Sequence, residues 1–569
     1  MTRRALSLML VSLIFSPVAA VGDEPAAKQP ASKLAVLVVF DQMRGDYLTR
    51  WDSLFGDGGF HRLEKEGAWF QNCHYPYGHT VTGAGHASIL TGCMPNTHGI
   101  VANEWYDRAS GQEVYCATLP RYERVPPLPG DELVSKPKPK PAGAPDRLLA
   151  PTLGDALKDA TAGKGRVVAL SLKDRGCILP AGHKPDAVYW FDTMSGTFVT
   201  STYYGDRLHP WVEEFNQTRP ANKWFGQEWN RLLPDLDYER YSGPDDQPGE
   251  GKGIFQGRAF PHPMNGGMKK PGKLAYDALY NSPFGNEMLL DLVKRAIDAE
   301  GLGTHDTPDL LTISFSCNDP IGHCWGPDSQ EVLDVTLRSD RIIKELLATL
   351  DAKVGKGRYT LVLTADHGVC PLPEVARKQG KESDRILPSA LAREAESFLD
   401  ETYGKGDGKA RWVEHLVHPW IYLNFRTLRE HGLKQSNVEE TLAGWLKKQP
   451  GMQTAYTRTQ MLQGVAADDT IGQAVRRSFH PDRSGEVTMV VKPFYQVTTF
   501  LTGTGHGTPH PYDTHVPLLV FGPDVQPAVR KERVAPPTAA AILAHAIGIK
   551  PPQAAEYAAP EGLFPASKK

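Results

Sequence analysis

Five runs of uninterrupted apolar, largely β-branched residues constrain this chain more than any other feature: KLAVLVVF at 33–40, RVVALSL at 166–172, LLTISF at 310–315, TLVLT at 360–364 and VPLLVF at 516–521. A strand with one wet face alternates apolar and polar residues, whereas a strand without alternation is covered on both faces, as in a parallel sheet flanked by helices. Between the runs lie segments with apolar residues three and four apart, notably 286–299 and 332–350, which predict amphipathic helices. The predicted fold class is therefore α/β, with a central, largely parallel sheet flanked by helices. In such sheets ligands bind beyond the carboxyl ends of the strands. Asp41, Lys173, Asp319 and Asp366 all fall there.

The N-terminus places the chain outside the cytoplasm. Arg3 and Arg4 precede an apolar stretch from Ala5 to Phe15, and Val18-Ala19-Ala20 follows with the small residues of a cleavage site. This predicts a signal peptide over 1–20 and a periplasmic or secreted protein beginning near Val21. The stretch is too short to span a bilayer, so no membrane association is expected after cleavage. With 63 Lys and Arg against 66 Asp and Glu, nothing points to a nucleic-acid partner. Seven cysteines without a CxxC pair permit disulfides but dictate none. Residues 21–569 read as one catalytic domain with insertions at about 104–160, 189–275 and 375–495. The first holds a Lys-Pro tract, and the last reads as a cap.

An Asp and a His four residues apart, Asp319 and His323, mean little alone, and so does a turn pair such as Asp366-His367. Two such pairs at the ends of buried strands, with Asp41 and the glycine-flanked His506, supply three carboxylates and three imidazoles. Mixed oxygen and nitrogen ligands of that kind suit zinc. The segment HTVTGAGHASILTG supplies the nucleophile. Thr82 precedes a Gly-rich helix start, whose free N–H groups and dipole favour an anionic phosphoryl group. A threonine hydroxyl is a weak nucleophile until a metal ion activates it. The rival hydroxyls are Thr80, which lies before the turn, and Ser88, which lies inside the helix.

VVFDQMRGDYL, TVTGAGHASILTG, HGIVANEWYD, SLKDRGCILPAGH, SFSCNDPIGH, LTADHG and TGTGHGTPHPYDTHVPLLVFGP, in that order, resemble the alkaline phosphatase superfamily, in particular its phosphate-irrepressible periplasmic type with a threonine nucleophile. The resemblance implies an alkaline-phosphatase-like sandwich and two Zn2+. One ion would be held by Asp319, His323 and His506, the other by Asp41, Asp366 and His367, with Thr82 as a further ligand. It also implies that Asn103, Lys173 and Arg175 bind the non-bridging phosphoryl oxygens, and that the protein is a monomer.

Those cations bear on substrate. A phosphomonoester dianion gains from both Lys173 and Arg175, whereas a diester, with one charge, gains less. The expected activity is hydrolysis of small phosphate monoesters with broad specificity, since the contacts identified all address phosphoryl oxygens, through a phosphothreonine on Thr82. The alternatives are a phosphodiesterase or nucleotide pyrophosphatase, a sulfatase and a non-catalytic phosphate binder. The first generally lacks the Lys-x-Arg element. The second is disfavoured because Cys93-Met94-Pro95 leads to Thr97 rather than Arg and follows the Leu-Thr-Gly segment. The third sits poorly with a complete catalytic set. His515 and His183 are expected to hold structure rather than ligate.

Overall fold

The structure, a computed structural model, describes residues 32–128, 142–405 and 411–565. The expected signal peptide and most of the Lys-Pro tract lie outside the described residues. A ten-stranded sheet has the order Ala528–Arg530, Ala68–Phe70, Leu518–Phe521, Tyr359–Thr364, Leu34–Phe40, Asp309–Phe315, Val167–Ser171, Ala187–Asp192, Thr197–Ser201, Arg124–Val125. Its five middle strands, from Tyr359–Thr364 to Ala187–Asp192, are parallel. Leu34–Phe40 is central and all seven of its residues are buried, which is why its sequence shows no alternation.

Register turns this sheet into a platform. Val39 lies opposite both Ser314 and Thr364, so three neighbouring strands end level. The Asp41 N–H continues the ladder to the Phe315 carbonyl at 3.0 Å, which fixes where the first carboxylate emerges. Leu518–Phe521 departs from the parallel pattern: it pairs antiparallel with Tyr359–Thr364, and the sheet is mixed. That strand enters at the end where its neighbours leave, so the loop preceding it, with His506, is delivered to the same edge.

Within 375–495 a second sheet, wholly antiparallel, orders Val413–Val417, Trp420–Leu423, Val487–Val491 and Met452–Thr457. It has its own apolar core, built on residues such as Leu391, Ile421, Leu442 and Leu446. All seven cysteines are unpaired thiols, six of them buried. Among the described residues no helix is long and apolar enough to cross a membrane.

Candidate active site

Thr82 opens the Thr82–Thr91 helix directly after Val81, which is extended and whose side chain cannot cap the helix start. The first-turn N–H groups are thus not all consumed within the fold. The Gly83 N–H donates to Asn103 Oδ1 at 2.8 Å, leaving the amide NH2 of Asn103 as a donor. Thr82 is 1 % exposed, and its Oγ1 lies 3.3 Å from His367 Nε2. The helix comes this close to the strand ends because residue 85 is glycine. A Cβ there would collide with the backbone of Asp366. The rival hydroxyls are engaged elsewhere: Thr80 donates to the Thr508 carbonyl and Ser88 to the Ala84 carbonyl.

Around Thr82 the sequence-separated acids and imidazoles converge. Potential ligand atoms of Asp319, His323 and His506 lie within 4.8 Å of one another, as do those of Asp41, Asp319 and His367, and those of Asp41, His86 and Asp366. His323 Nε2 is 3.0 Å and His506 Nε2 3.8 Å from Asp319 Oδ1. His367 Nε2 is 3.5 Å from Asp41 Oδ1 and 3.4 Å from Asp366 Oδ2. The rings of His367 and His506 stack with centroids 3.6 Å apart, joining the two groups.

Each of the three imidazoles is oriented by main chain. Nδ1 of His323 meets the Thr504 carbonyl at 2.6 Å, that of His506 the Thr80 carbonyl at 2.8 Å and that of His367 the Gly368 carbonyl at 2.9 Å. A carbonyl only accepts, so Nδ1 carries a proton in each and Nε2 faces the carboxylates. Burial opposes the charge of His323, but Asp319 beside its Nε2 outweighs that and holds it above the ordinary histidine range. Burial holds His367 below the ordinary histidine range, and burial followed by His367 and His323 holds His506 well below it. Both are neutral, as ligation requires. Neither oxygen of the buried Asp41 accepts a hydrogen bond of regular geometry, and neither does Asp366 Oδ2. Burial, then the neighbouring Asp366, push Asp41 well above the ordinary carboxylate range. Buried carboxylates beside the neutral Nε2 atoms of His367 and His506, with Asp41 Oδ1 lacking a hydrogen bond, fit metal ions.

Lys173 and Arg175 leave the end of Val167–Ser171 for the same crevice. Lys173 Nζ sits 2.6 Å from both Asp41 Oδ2 and Asp319 Oδ2. Burial opposes its charge, but Asp319 and Asp41 outweigh that and hold its pKa above the usual lysine value. The ammonium expected on a phosphoryl group is here engaged by two carboxylates, because a buried cation takes the anions within reach. Arg175 Nη1 donates to the Tyr115 hydroxyl at 3.0 Å, which donates to Asp174 at 2.6 Å, while Arg175 Nε meets no acceptor.

Four residues at the site escaped sequence reasoning. Gln42, at φ 69°, uses its N–H to hold Asp366 at 3.0 Å and its side-chain amide to hold Asp319 at 2.7 Å. Gly322 makes room for it, since a Cβ there would overlap the Gln42 amide oxygen. His86 Nδ1 lies 3.0 Å from the Thr82 carbonyl and 3.1 Å from Asp366 Oδ2, and its Nε2 meets Ser314 Oγ at 2.8 Å. A histidine four residues after the nucleophile, on the same helix face, was the available signal. Tyr115 carried none. His515 and His183 stay structural: His515 bonds the Gln71 carbonyl and stacks on His74, and His183 bonds Asp155.

A mixed sheet that gathers a helix-start threonine, acid–imidazole groups and two cations at its strand ends is the arrangement of the alkaline phosphatase superfamily. Over residues 35–515 the sequence matches the type I phosphodiesterase / nucleotide pyrophosphatase family, and the chain belongs to it. Alkaline phosphatase PhoV of Synechococcus elongatus is 34% identical over 498 residues, 87% of this chain and 86% of its own. Alkaline phosphatase PafA of Elizabethkingia meningoseptica is 33% identical over 515 residues, 88% of this chain and 89% of its own. The crystal structure of wild-type PafA superposes with a TM-score of 0.84 at 32% identity, covering 95% of this chain and 100% of that one.

Proposed function

We propose that this protein is an exported, zinc-dependent alkaline phosphatase that hydrolyses small phosphate monoesters with Thr82 as nucleophile. One observation carries the reading: a buried threonine hydroxyl at a helix start, 3.3 Å from a neutral imidazole, faces two joined acid–imidazole groups in a crevice that also holds Lys173 and Arg175. The kinship with alkaline phosphatases along most of the chain supports it. So does the donor set, since mixed Asp and His ligands suit zinc. Asp319, His323 and His506 would hold one ion and Asp41, Asp366 and His367 the other. Bound there, zinc supplies Lewis acidity, which lowers the pKa of the hydroxyl and offsets charge on the phosphoryl oxygens.

The chain's own groups perform the rest. The Thr82–Thr91 helix start and the Asn103 amide receive non-bridging oxygens. Arg175 presents a fork whose Nε is uncommitted, and Tyr115 fixes its plane. Thr82 Oγ forms the new bond to phosphorus while the bond to the leaving alcohol breaks. Water then cleaves the phosphothreonine, so configuration at phosphorus is retained overall. The family is named for phosphodiesterases, but two cations at one phosphoryl site reward the dianion of a monoester more than the monoanion of a diester.

The test is a kcat/KM profile over a monoester, a diester and a sulfate ester of one phenol, with acid quenching to trap phosphate on the Thr82 peptide. The monoester is expected to lead and the label to vanish in Thr82→Ala. A leading diester, or full turnover in Thr82→Ala, would overturn the proposal.

A further inference from the structure

In-line phosphoryl transfer sets the leaving oxygen opposite the attacking one. Thr82 Oγ1 lies beside His367, so the leaving alcohol departs past the other group, Asp319, His323 and His506. Beside that group lies a cavity of about 160 Å³ that takes His323 and His506 as one wall and Tyr495, Gln496, Val497 and Phe500 among the others. Its lining mixes imidazole, amide and hydroxyl groups with Tyr495, Val497 and Phe500, and a volume of roughly 150 Å³ is large enough to take a benzene ring.

The rim is built unlike an ordinary loop tip. Phe500 and Leu501, adjacent in sequence, are 75 % and 87 % exposed, yet the segment carrying them is anchored at both feet. The Thr498 N–H donates to the Ile386 carbonyl at 3.0 Å, and the Thr504 N–H donates to the His323 carbonyl at 2.9 Å. Thr504 Oγ1 donates to the Cys370 carbonyl at 2.6 Å and accepts from Gln496 Nε2 at 2.6 Å. The rim is therefore fixed to the same turn of chain that supplies His323. Two large apolar side chains held in water contribute nothing to folding by burial. A phenyl ring held on the border of a ring-sized cavity is, however, placed to stack on a ligand.

Resting on the phosphomonoesterase reading above, we infer that this cavity is the leaving-group subsite and that it selects phosphomonoesters of aromatic alcohols, with Phe500 as the stacking surface. Benzyl phosphate and ethyl phosphate separate ring recognition from leaving-group acidity, because their alcohols are similarly acidic. The ratio of their kcat/KM values is expected to favour benzyl in the native protein and to fall about five-fold in Phe500→Ala. Calorimetry with benzylphosphonate and methylphosphonate, which are not turned over, should show the same narrowing in Kd. Phe500→Leu should retain part of the preference. An unchanged ratio in Phe500→Ala by both measurements, or a native protein indifferent to the ring, would overturn the inference. A native protein that hydrolyses neither ester would instead refute the phosphomonoesterase reading itself.

Discussion

Replacing Arg175 by alanine should separate monoester from diester chemistry. The guanidinium spends one N–H on the Tyr115 hydroxyl at 3.0 Å, and its Nε meets no acceptor, so a fork remains for the substrate. A hydrogen bond involving a charged group contributes about 1.5–3 kcal/mol. On a dianion, losing the fork should cost about 3 kcal/mol, roughly 100-fold in kcat/KM. A diester offers one oxygen fewer and half the charge, and roughly a 10-fold loss is expected. The assay compares p-nitrophenyl phosphate with methyl p-nitrophenyl phosphate, which share a leaving group, in the native protein, Arg175→Ala and Arg175→Lys. Lysine keeps the charge and loses the fork, so it should recover only part of the loss. The Tyr115–Asp174 bond survives the substitution, and the melting temperature is the control for folding. Equal losses on the two esters would refute the reasoning that Arg175 selects the dianion.

Three further outcomes are expected. Gly85→Ala puts a methyl group into the backbone of Asp366. It should lower stability by about 1–3 kcal/mol and reduce kcat by displacing Thr82, and a native melting temperature and turnover would contradict that packing. Exhaustive chelation should abolish turnover and lower the melting temperature, since the buried Asp41 and Asp366 lose their counter-ions. Zinc should restore both, and turnover that persists in protein shown by elemental analysis to be metal-free would count against the ligand set. The third concerns Glu250, fully buried with both oxygens unpartnered. Burial, reinforced by Glu331, pushes its carboxyl up to about 10. A folded-state pKa above the unfolded one means that the folded chain holds the extra proton, so stability declines as pH rises from about 5 toward 10. Glu250→Gln should flatten that decline in unfolding midpoints measured across the range, and parallel curves for variant and native protein would contradict it.

The buried strands announced themselves because full burial suppresses alternation, and the acids at their ends followed from the geometry of parallel sheets. Asp41, Asp319 and Asp366 could be named without coordinates for that reason. Leu518–Phe521 shows the limit: an apolar run has no direction, and only its pairing with Tyr359–Thr364 reveals that it runs the other way. The positioning contacts were harder to see. Tyr115 lies in a segment that reads as an insertion, yet it steadies Arg175 from 60 residues away. The grip of Gln42 on Asp366 and Asp319 depends on a positive φ that nothing in glutamine foretells. Lys173 was legible as a cation of the crevice, but its two carboxylate partners were not.

The main-chain carbonyls behind the three imidazoles have a consequence for divergence. Thr504, Thr80 and Gly368 supply these acceptors through backbone atoms, so no side-chain atom of theirs touches a ring, although Gly368 has no room for a Cβ beside the Tyr512 carbonyl and the two threonine hydroxyls tie down their own segments. The rings are sensitive to the path of the chain. Point substitutions at the positions of these loops that neither bond through their side chains nor need a glycine can accumulate while the imidazoles keep their aim, whereas inserting or deleting a single residue would swing a carbonyl away and release a ring. Outside the constrained glycines and the bonded side chains, tolerance should track loop length rather than residue identity, a pattern that a library mixing substitutions at 81 and 505 with one-residue insertions at 79–81 and 503–505 would reveal.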